Sequence, residues 1–358
     1  MKLLPVLCFA VLCITLTLGL WPFHAPDNEV TWLKGANGLA FGKHGTVLSR
    51  GPLQTASATA SVEIWAQPRR WTGSTLLTLY RPDKRAAFEV RQSLEDLEPS
   101  YEAAGGRSHF YVNDAFGPSL RGGKPVLITL TYGARGVTVY RDGVFAAAAP
   151  PGFRIPDGVF TGWLVVGDSV GGTHSFRGDI LGLAIYDREL NAAEALSHFQ
   201  SSLNTRNAGE IALYLFDEKS GNAIHNHAAA NAELYIPKTY TVVDEVFLRP
   251  LWEEFDFSRS YWAGNLKNIV GFIPTGVCFY ACLIAVWPAK RALLVTLVVG
   301  FLVSLTIEVL QAYLPTRDSG TTDLITNTLG TYIGILCYRR FLGWAKRGWT
   351  KKHPRSIW

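Results

Sequence analysis

Six polar residues lie within or beside apolar stretches near the C-terminus: Asn268, Glu308, Gln311, Arg317, Asp323 and Asn327. Ionisable groups in such stretches are costly and face a partner or a wet cavity. Glu308 and Gln311 are three residues apart and Asp323 and Asn327 four apart, so each pair shares one helical face. Glu308 lies six residues before Leu314, about 9 Å along a helix. A carboxyl group at that depth can hold a charge or a proton. Arg317 is its expected countercharge and an attractor of anionic groups, with Asp323 orienting Arg317. If Glu308 or Asp323 acts as a general base, the chain is instead an enzyme working on a lipid-linked substrate. A purely structural alternative stands beside both. Asp323 follows Thr321-Thr322 and suits a helix cap, and the amides Asn268, Gln311 and Asn327 suit bonds between helices.

A second set of candidates lies earlier in the chain. Asp168, Asp179 and Asp187 are possible calcium ligands, with turn capping as the alternative. Trp71, Tyr111 and Trp163 are of the type that stacks on sugars, with core packing as the alternative. All five cysteines, Cys8, Cys13, Cys278, Cys282 and Cys337, fall in apolar segments. The long middle of the chain therefore has nothing for an oxidising compartment to cross-link. Cys278 and Cys282 read as packing residues of a helix rather than as a metal site.

These groups need elements to hold them. The chain has 358 residues, 48 % apolar and 18 % charged, against roughly a quarter charged in a soluble protein. The deficit is local: residues 1–21 hold only Lys2, and residues 268–316 only Lys290, Arg291 and Glu308. This excludes a wholly soluble cytoplasmic enzyme and a disordered chain. Residues 3–20 read as an uncleaved anchor, since no small-x-small cleavage site follows, with a signal peptide as the alternative. Residues 269–287 (interrupted by Pro274), 292–314 and 324–338 are three further spans, helical because a membrane gives backbone groups no other partner. Residues 21–262 carry 22 Lys+Arg and 26 Asp+Glu, and the rest of the chain 12 and 3. The basic excess is thus in the tail, where Arg339, Arg340, Lys346, Arg347, Lys351, Lys352 and Arg355 occur, and does not mark a nucleic-acid binder. Positive flanks stay in the cytoplasm. That puts the tail, Lys2 and the Lys290-Arg291 turn inside, and the 315–323 loop, with Arg317, Asp318 and Asp323, outside. Residues 22–265 are then extracytoplasmic and both termini cytoplasmic. Trp21, Trp252, Trp262, Trp287 and Trp344 suit interfacial belts.

Between 30 and 236 the pattern is β. Alternating runs such as Ser61-Val62-Glu63-Ile64-Trp65 are separated by turn residues. Asp142-Gly143 reads as a two-residue hairpin turn, and one short helix is expected over 191–200, with Asn191 and Glu194 at capping-box spacing. The fold class is an all-β jelly-roll sandwich followed by an α-helical membrane bundle. The expected divisions are an anchor at 1–21, a sandwich at 30–236, an interfacial linker at 237–262, a helical membrane domain at 263–342 and a basic tail at 343–358. In the linker, Val242, Val243, Val246, Phe247, Leu251, Trp252 and Phe255 recur at roughly helical spacing. They suit either an amphipathic segment on the membrane surface or a segment packed on the sandwich.

The middle of the chain resembles the concanavalin A-like, laminin-G-type jelly roll. The resemblance rests on Ser61-Val-Glu-Ile-Trp, on Val126-Leu-Ile-Thr-Leu-Thr-Tyr leading to Tyr140-Arg-Asp-Gly, and on Phe176-Arg-Gly-Asp-Ile-Leu-Gly-Leu-Ala-Ile-Tyr-Asp-Arg-Glu-Leu. It implies glycan or ligand binding, in some branches calcium, and in others glycan hydrolysis. The hydrolase branches carry an acidic strand with alternating carboxylates, two of which must flank the scissile bond. The Glu254-Phe-Asp256 triplet lacks the third acid and sits in the linker, so the domain reads as a binding module. Residues 264–338 resemble the VanZ-like membrane family through Asn268-Ile-Val-Gly-Phe-Ile-Pro-Thr-Gly, Ser304-Leu-Thr-Ile-Glu-Val-Leu-Gln, and Pro315-Thr-Arg followed by Asp323-Leu-Ile-Thr-Asn-Thr-Leu-Gly. That family commonly carries an acid one turn before the first asparagine, where this chain has Gly264.

The combined expectation is a multi-pass plasma-membrane protein of a bacterial cell envelope. An outward jelly roll binds a glycan or an envelope protein, and the bundle carries a polar site at the outer leaflet. No cofactor is expected, calcium apart. The expected partners are membrane lipids and an envelope glycan, lipid-linked precursor or envelope protein. A membrane enzyme and a passive surface anchor are the alternatives.

Overall fold

The computed structural model describes the chain except residues 1–2, 56, 104–105, 135, 157, 202–206, 230, 256, 318 and 353–358. Lys2, Asp256, Asp318 and Arg355 of the sequence reading lie outside the described residues. The chain divides into two compact units, Ala25–Asp244 and a second formed by Met1–His24 with Glu245–Trp358.

The first unit is a β-sandwich. Its strands are β1 (Val30–Trp32), β2 (Leu39–Phe41), β3 (Val47–Ser49), β4 (Ala60–Pro68), β5 (Ser74–Tyr80), β6 (Ala86–Ser93), β7 (Asp96–Ala103), β8 (Gly106–His109), β9 (Val126–Gly133), β10 (Gly136–Arg141), β11 (Val144–Ala148), β12 (Trp163–Val166), β13 (Gly178–Tyr186), β14 (Glu210–Tyr214), β15 (Ala223–Ile224) and β16 (Leu234–Tyr235). One sheet runs β1-β2-β13-β4-β9-β10-β11, with β14 also on β13, and the other runs β15-β16-β3-β12-β5-β6-β7-β8. Successive side chains of a strand point to opposite faces, and β4 shows the consequence. Val62, Ile64 and Ala66 enter the main core, whereas Trp65 packs in a second cluster with Phe199.

Two short helices precede the bundle, α1 (Leu3–Leu20) aside: α2 (Gly117–Gly122) and α3 (Ala192–Ser201). The capping box expected at Asn191 is formed. Its Oδ1 accepts from the N–H groups of Ala193 and Glu194 at 2.9 and 3.1 Å, and Glu194 Oε2 accepts from Asn191 N–H at 2.9 Å. Asp142-Gly143 turns β10 into β11, with Arg141 facing Val144 across the ladder. Both turn residues have positive φ, 52° and 76°, as a type I′ turn requires.

In the second unit, α1 packs with α5 (Arg259–Leu283), α6 (Ala289–Gln311) and α7 (Thr321–Lys352), preceded by the single turn α4 (Leu251–Glu254). Among the described residues, α1, α5 and α6 are long and apolar enough to cross a membrane. The span expected at 324–338 lies inside α7, one helix of 32 residues that continues into the basic tail, with no proline to stop it. The α5–α7 contact is close because it is made by small residues. A Cβ on Gly330 would overlap the carbonyl oxygen of Ile269, one on Gly334 that of Ile273, and one on Gly276 that of Thr331.

No single helix forms over 237–262. Tyr240 and Val243 donate backbone N–H groups to Pro26 and Val170 of the sandwich, both at 2.9 Å. Pro250 then begins the one turn of α4, which ends at an extended Phe255, and Ser258 caps α5 by accepting from Tyr261 N–H at 3.3 Å.

Candidate functional site

The four long helices of the bundle enclose a cavity of about 580 Å³. Five of the six polar residues singled out in the sequence line it: Asn268, Glu308, Gln311, Asp323 and Asn327. Ile14 and Leu18 of α1, Phe272 of α5 and Ile307 of α6 supply apolar wall. Lys267 is the one cationic side chain among the lining residues, and it is exposed.

Each polar group has a defined setting. Asn268 Nδ2 donates to Asp323 Oδ1 at 2.7 Å, joining α5 to α7. Gln311 Nε2 donates to the Gly19 carbonyl at 2.7 Å, joining α6 to α1. Asn327 Nδ2 donates to Ser304 Oγ at 3.0 Å, while its Oδ1 is buried with no hydrogen-bond partner. Glu308 is 1 % exposed, and its Oε2 accepts from Gly320 N–H at 2.9 Å.

Arg317 is elsewhere. Its exposed guanidinium donates to the Trp21 carbonyl, and the expected Glu308–Arg317 ion pair is not among those formed by the described residues. Local geometry explains the difference. The turn closed by Arg317 N–H on the Leu314 carbonyl, at 2.9 Å, carries the arginine to the end of α1. Glu308 meanwhile engages the backbone just before α7. Asp323 accepts from Asn268 where the sequence reading had it orient Arg317.

The start of α7 reveals two residues that sequence reasoning missed. The first N–H groups of a helix have no partner within it. Here Gly320 N–H goes to Glu308, Thr321 N–H to the Arg249 carbonyl at 3.1 Å, and Thr322 N–H to Glu254 Oε2 at 2.8 Å. Glu254 also accepts from Thr322 Oγ1 at 2.5 Å. Two carboxyl groups from outside the helix therefore join Asp323 of its first turn at the positive end of the helix dipole. Gly320 permits this, because a Cβ there would overlap the Glu254 carboxylate.

Chemically, the cavity has an end rich in hydrogen-bond acceptors and walls of hydrocarbon. Among its lining residues no serine, cysteine or histidine stands beside the carboxyl groups as a nucleophile or proton shuttle. The arrangement suits holding an amphiphile.

The sandwich offers a second candidate, on the outer face of the β5–β8 sheet. Tyr80 and Trp163 face each other across the β5–β12 ladder and stack with ring centres 6.0 Å apart. Both are half-buried, so neither is a core residue. A pocket of about 330 Å³ on the same unit is lined by Arg85, Glu89, Ser100, Glu102, Arg107 and Asp244. Glu89, almost fully buried, is paired with Arg107. Arg81 and Arg85 reach Glu102 at 3.1 and 3.8 Å. Burial, with the charges of Arg91 and Arg107, holds His174 down at about 4, so it is neutral at pH 7. Trp71 and Tyr111 are 48 % and 50 % exposed, on the stretches after β4 and β8, and so also lie outside the core.

The three aspartates named as calcium ligands are not brought together. Asp168 is buried and accepts from Ser175 Oγ at 2.6 Å, Tyr240 OH at 2.5 Å and Ser169 N–H at 2.7 Å. Asp179 pairs with Arg69 at 2.7 Å. Asp187 lies just past the end of β13, eight residues beyond Asp179 and roughly 26 Å away for an extended strand. Among the described residues, one group has donor atoms close enough to share an ion: Asp217, Glu218 and His227, within 4.8 Å of one another.

Comparison with known proteins follows these divisions. Residues 41–195 match the concanavalin A-like lectin/glucanases superfamily, and residues 211–343 match VanZ/LLP1. The chain joins a concanavalin A-like module to a VanZ-like one. The VanZ-like match begins within β14 and takes in α4 to α6 and α7 as far as residue 343, so five cavity-lining polar residues fall inside it, whereas α1 lies outside both matches. With this match and three apolar helices, the protein is membrane-associated. Among solved structures, it is similar to a putative carbohydrate binding protein from Bacteroides ovatus (13 % identity, 59 % of this chain and 63 % of that one, TM-score 0.42). It is also similar to a SAP-like pentraxin from Limulus polyphemus (13 %, 59 % and 94 %, 0.38) and to the receptor binding domain of botulinum neurotoxin type G (14 %, 50 % and 51 %, 0.34). The chain thus spans about half the length of the neurotoxin domain and under two thirds of the Bacteroides protein. No curated protein matches it.

Proposed function

We propose that the protein is an integral membrane protein of a bacterial envelope, in which the concanavalin A-like module binds a glycan outside the cytoplasmic membrane. In the same reading, the VanZ-like bundle holds an amphiphilic ligand at the outer leaflet. The observation that carries this is the bundle cavity, with carboxyl and amide groups at one end and aliphatic and aromatic walls along the rest. An amphiphile has the same division. The charges support the sidedness. Lys290 and Arg291 begin α6, and α7 ends in Lys and Arg, so these ends are read as cytoplasmic. Asn268 near the start of α5, Glu308 near the end of α6 and Asp323 at the start of α7 then belong to the opposite, outer side. Residues 22–265 are extracytoplasmic in this topology and both termini cytoplasmic.

For the sandwich, the half-buried Tyr80–Trp163 stack, together with a pocket of paired charges on the same unit, supports a sugar face, since aromatic rings pack on the apolar faces of sugars while charged groups take up hydroxyls. Two experiments test the whole. Protease added to intact spheroplasts should remove the sandwich and spare the C-terminal tail; cleavage of the tail alone overturns the topology. Purified residues 25–244 should bind on a glycan array, and silence there removes the glycan reading.

A further inference from the structure

We infer that the bundle cavity is loaded sideways from the bilayer, through an opening between α1 and α5 that admits the acyl chain of a phospholipid. This rests on the cavity reading above and adds the ligand's class and its route of entry.

The lining residues divide by exposure. Four of the five contributed by α6 and α7 are buried: Ile307 is 3 % exposed, Glu308 1 %, Gln311 7 % and Asn327 4 %, with Asp323 half-buried. On α1, by contrast, Ile14 is 58 % and Leu18 72 % exposed. On α5, Lys267 and Gly271 are exposed as well. A residue that lines a cavity and is also exposed stands where the cavity meets its surroundings. The floor therefore lies on α6 and α7, and the opening lies between α1 and α5. Ile14 and Leu18 are four residues apart, as are Lys267 and Gly271, so each pair forms one edge along its helix. A Cβ at Gly271 meets nothing within 4 Å, as an edge facing open space requires.

What lies outside the opening follows from the helices that frame it. Both α1 and α5 are long and apolar enough to cross a membrane, so the opening faces lipid chains. Its edges suit such a chain. Ile14 and Leu18 are aliphatic and Gly271 has no side chain, while the cation Lys267 stands beside Asn268 and the polar end, where a headgroup phosphate would lie.

The contact between α1 and α5 is also looser than that between α5 and α7, where three glycines bring the backbones together. Thr15 Oγ1 lies 3.4 Å from Thr275 Oγ1, about one helical turn from Leu18 and Gly271. Leu12, Leu16 and Leu20 pack α1 on Phe272, Val303 and Ile307. Leucine contacts of this kind hold a helix weakly in a bilayer, because lipid tails are equally apolar.

The test uses the full-length chain in vesicles of phosphatidylethanolamine and phosphatidylglycerol. These are doped with a phospholipid carrying a diazirine at the end of one acyl chain, and residues labelled on irradiation are mapped by mass spectrometry. Ile307, shielded from bulk lipid, should be labelled, as should Leu302, which is exposed on α6. Gly271→Trp should cut the label at Ile307 about tenfold and leave that at Leu302 unchanged. Leu18→Cys with Gly271→Cys, bridged by a short bifunctional methanethiosulfonate, should do the same without a bulky ring, and reductant should restore the label. The bridged pair also serves if the tryptophan variant does not fold, and Leu18→Cys alone controls for the native cysteines. Equal labelling of Ile307 in the native and bridged chains would overturn the sideways entry and leave the cavity reading standing. Label at Leu302 but none at Ile307 in the native chain would mean that no acyl chain occupies the cavity; the cavity reading then fails and takes the inference with it.

Discussion

Glu254 and Thr322 are joined twice through one carboxylate oxygen, which accepts the backbone N–H at 2.8 Å and the hydroxyl at 2.5 Å. The contact anchors the start of α7, the helix that carries Asp323 and Asn327 into the cavity. Since α7 begins on acceptors from α4, α6 and the stretch before α4, its polar face is positioned by the Glu254 and Glu308 side chains and the Arg249 carbonyl, all outside the helix.

This arrangement makes Glu254 and Gly320 energetically coupled. Glu254→Ala removes a cap and should lower stability by about 1–2 kcal/mol. Gly320→Ala should act similarly, because the new methyl group displaces the same carboxylate. With the contact already lost in either variant, the double variant should fall short of the sum by about 1 kcal/mol. Thermal unfolding of the three variants in detergent measures this, and strict additivity would show that the two residues act independently.

The α5–α7 seam yields a steric prediction. Gly330→Ala places a methyl group on the Ile269 carbonyl, and Gly334→Ala on that of Ile273. Each should destabilise the bundle by about 1–3 kcal/mol, the usual range for overpacking. Gly264→Ala, where a Cβ meets nothing within 4 Å, should leave the melting temperature almost unchanged. Equal effects at the three positions would mean that helix propensity rather than close packing governs this seam.

What the sequence disclosed here was local in character. Alternation at Ser61–Trp65, the Asp142-Gly143 turn and the Asn191/Glu194 box all act within a few residues, and all are present in the structure. The cavity residues were legible for a different reason: a polar group in an apolar run is conspicuous on composition alone. Their partners were not. Arg317 reaches the Trp21 carbonyl across 296 positions and Glu254 reaches Thr322 across 68. No spacing rule connects residues so far apart, and proximity in sequence pointed instead to a Glu308–Arg317 pair. The Tyr80–Trp163 stack was hidden similarly, since it depends on which strands become neighbours.

That stack should contribute to glycan affinity. Trp163→Ala removes the larger ring while leaving the buried core residues Leu164 and Val166 in place. Affinity for any glycan found on the array should drop about tenfold, or 1.4 kcal/mol, in the range of one aromatic contact. Calorimetry on Trp163→Ala, Trp71→Ala and Tyr111→Ala separates the alternatives. A loss confined to Trp71 or Tyr111 would move the sugar from the sheet face to the loops.

A buried network under α3 makes the sandwich sensitive to pH. Glu63 is fully buried on β4 and accepts from Thr129 Oγ1 at 2.8 Å and Tyr186 OH at 3.0 Å, with His198 Nδ1 at 2.8 Å. Burial alone would lower the His198 pKa, but the hydrogen bond and charge of Glu63, with the charges of Glu194 and Glu210, lift it above the ordinary value. The folded protein then holds this proton more tightly than the unfolded chain, where histidine titrates near ~6.5. The pair's contribution is complete below that value and is lost as pH rises through the higher folded pKa. Glu210, which burial pushes up, also loses stability with rising pH, but from the lower starting point of a carboxyl group. Tyr186, likewise pushed up by burial and Glu63, stays neutral throughout. Melting temperatures of residues 25–244 should therefore decline as pH rises above about 6.5. His198→Gln should be less stable than the native chain at pH 6 and show a flatter profile. Glu63→Gln, which removes the carboxylate that holds the His198 proton, should be destabilised by about 3 kcal/mol at pH 6 and by less as pH rises, since the native chain then loses the same proton. A slope that survives in His198→Gln would assign the pH response to other groups.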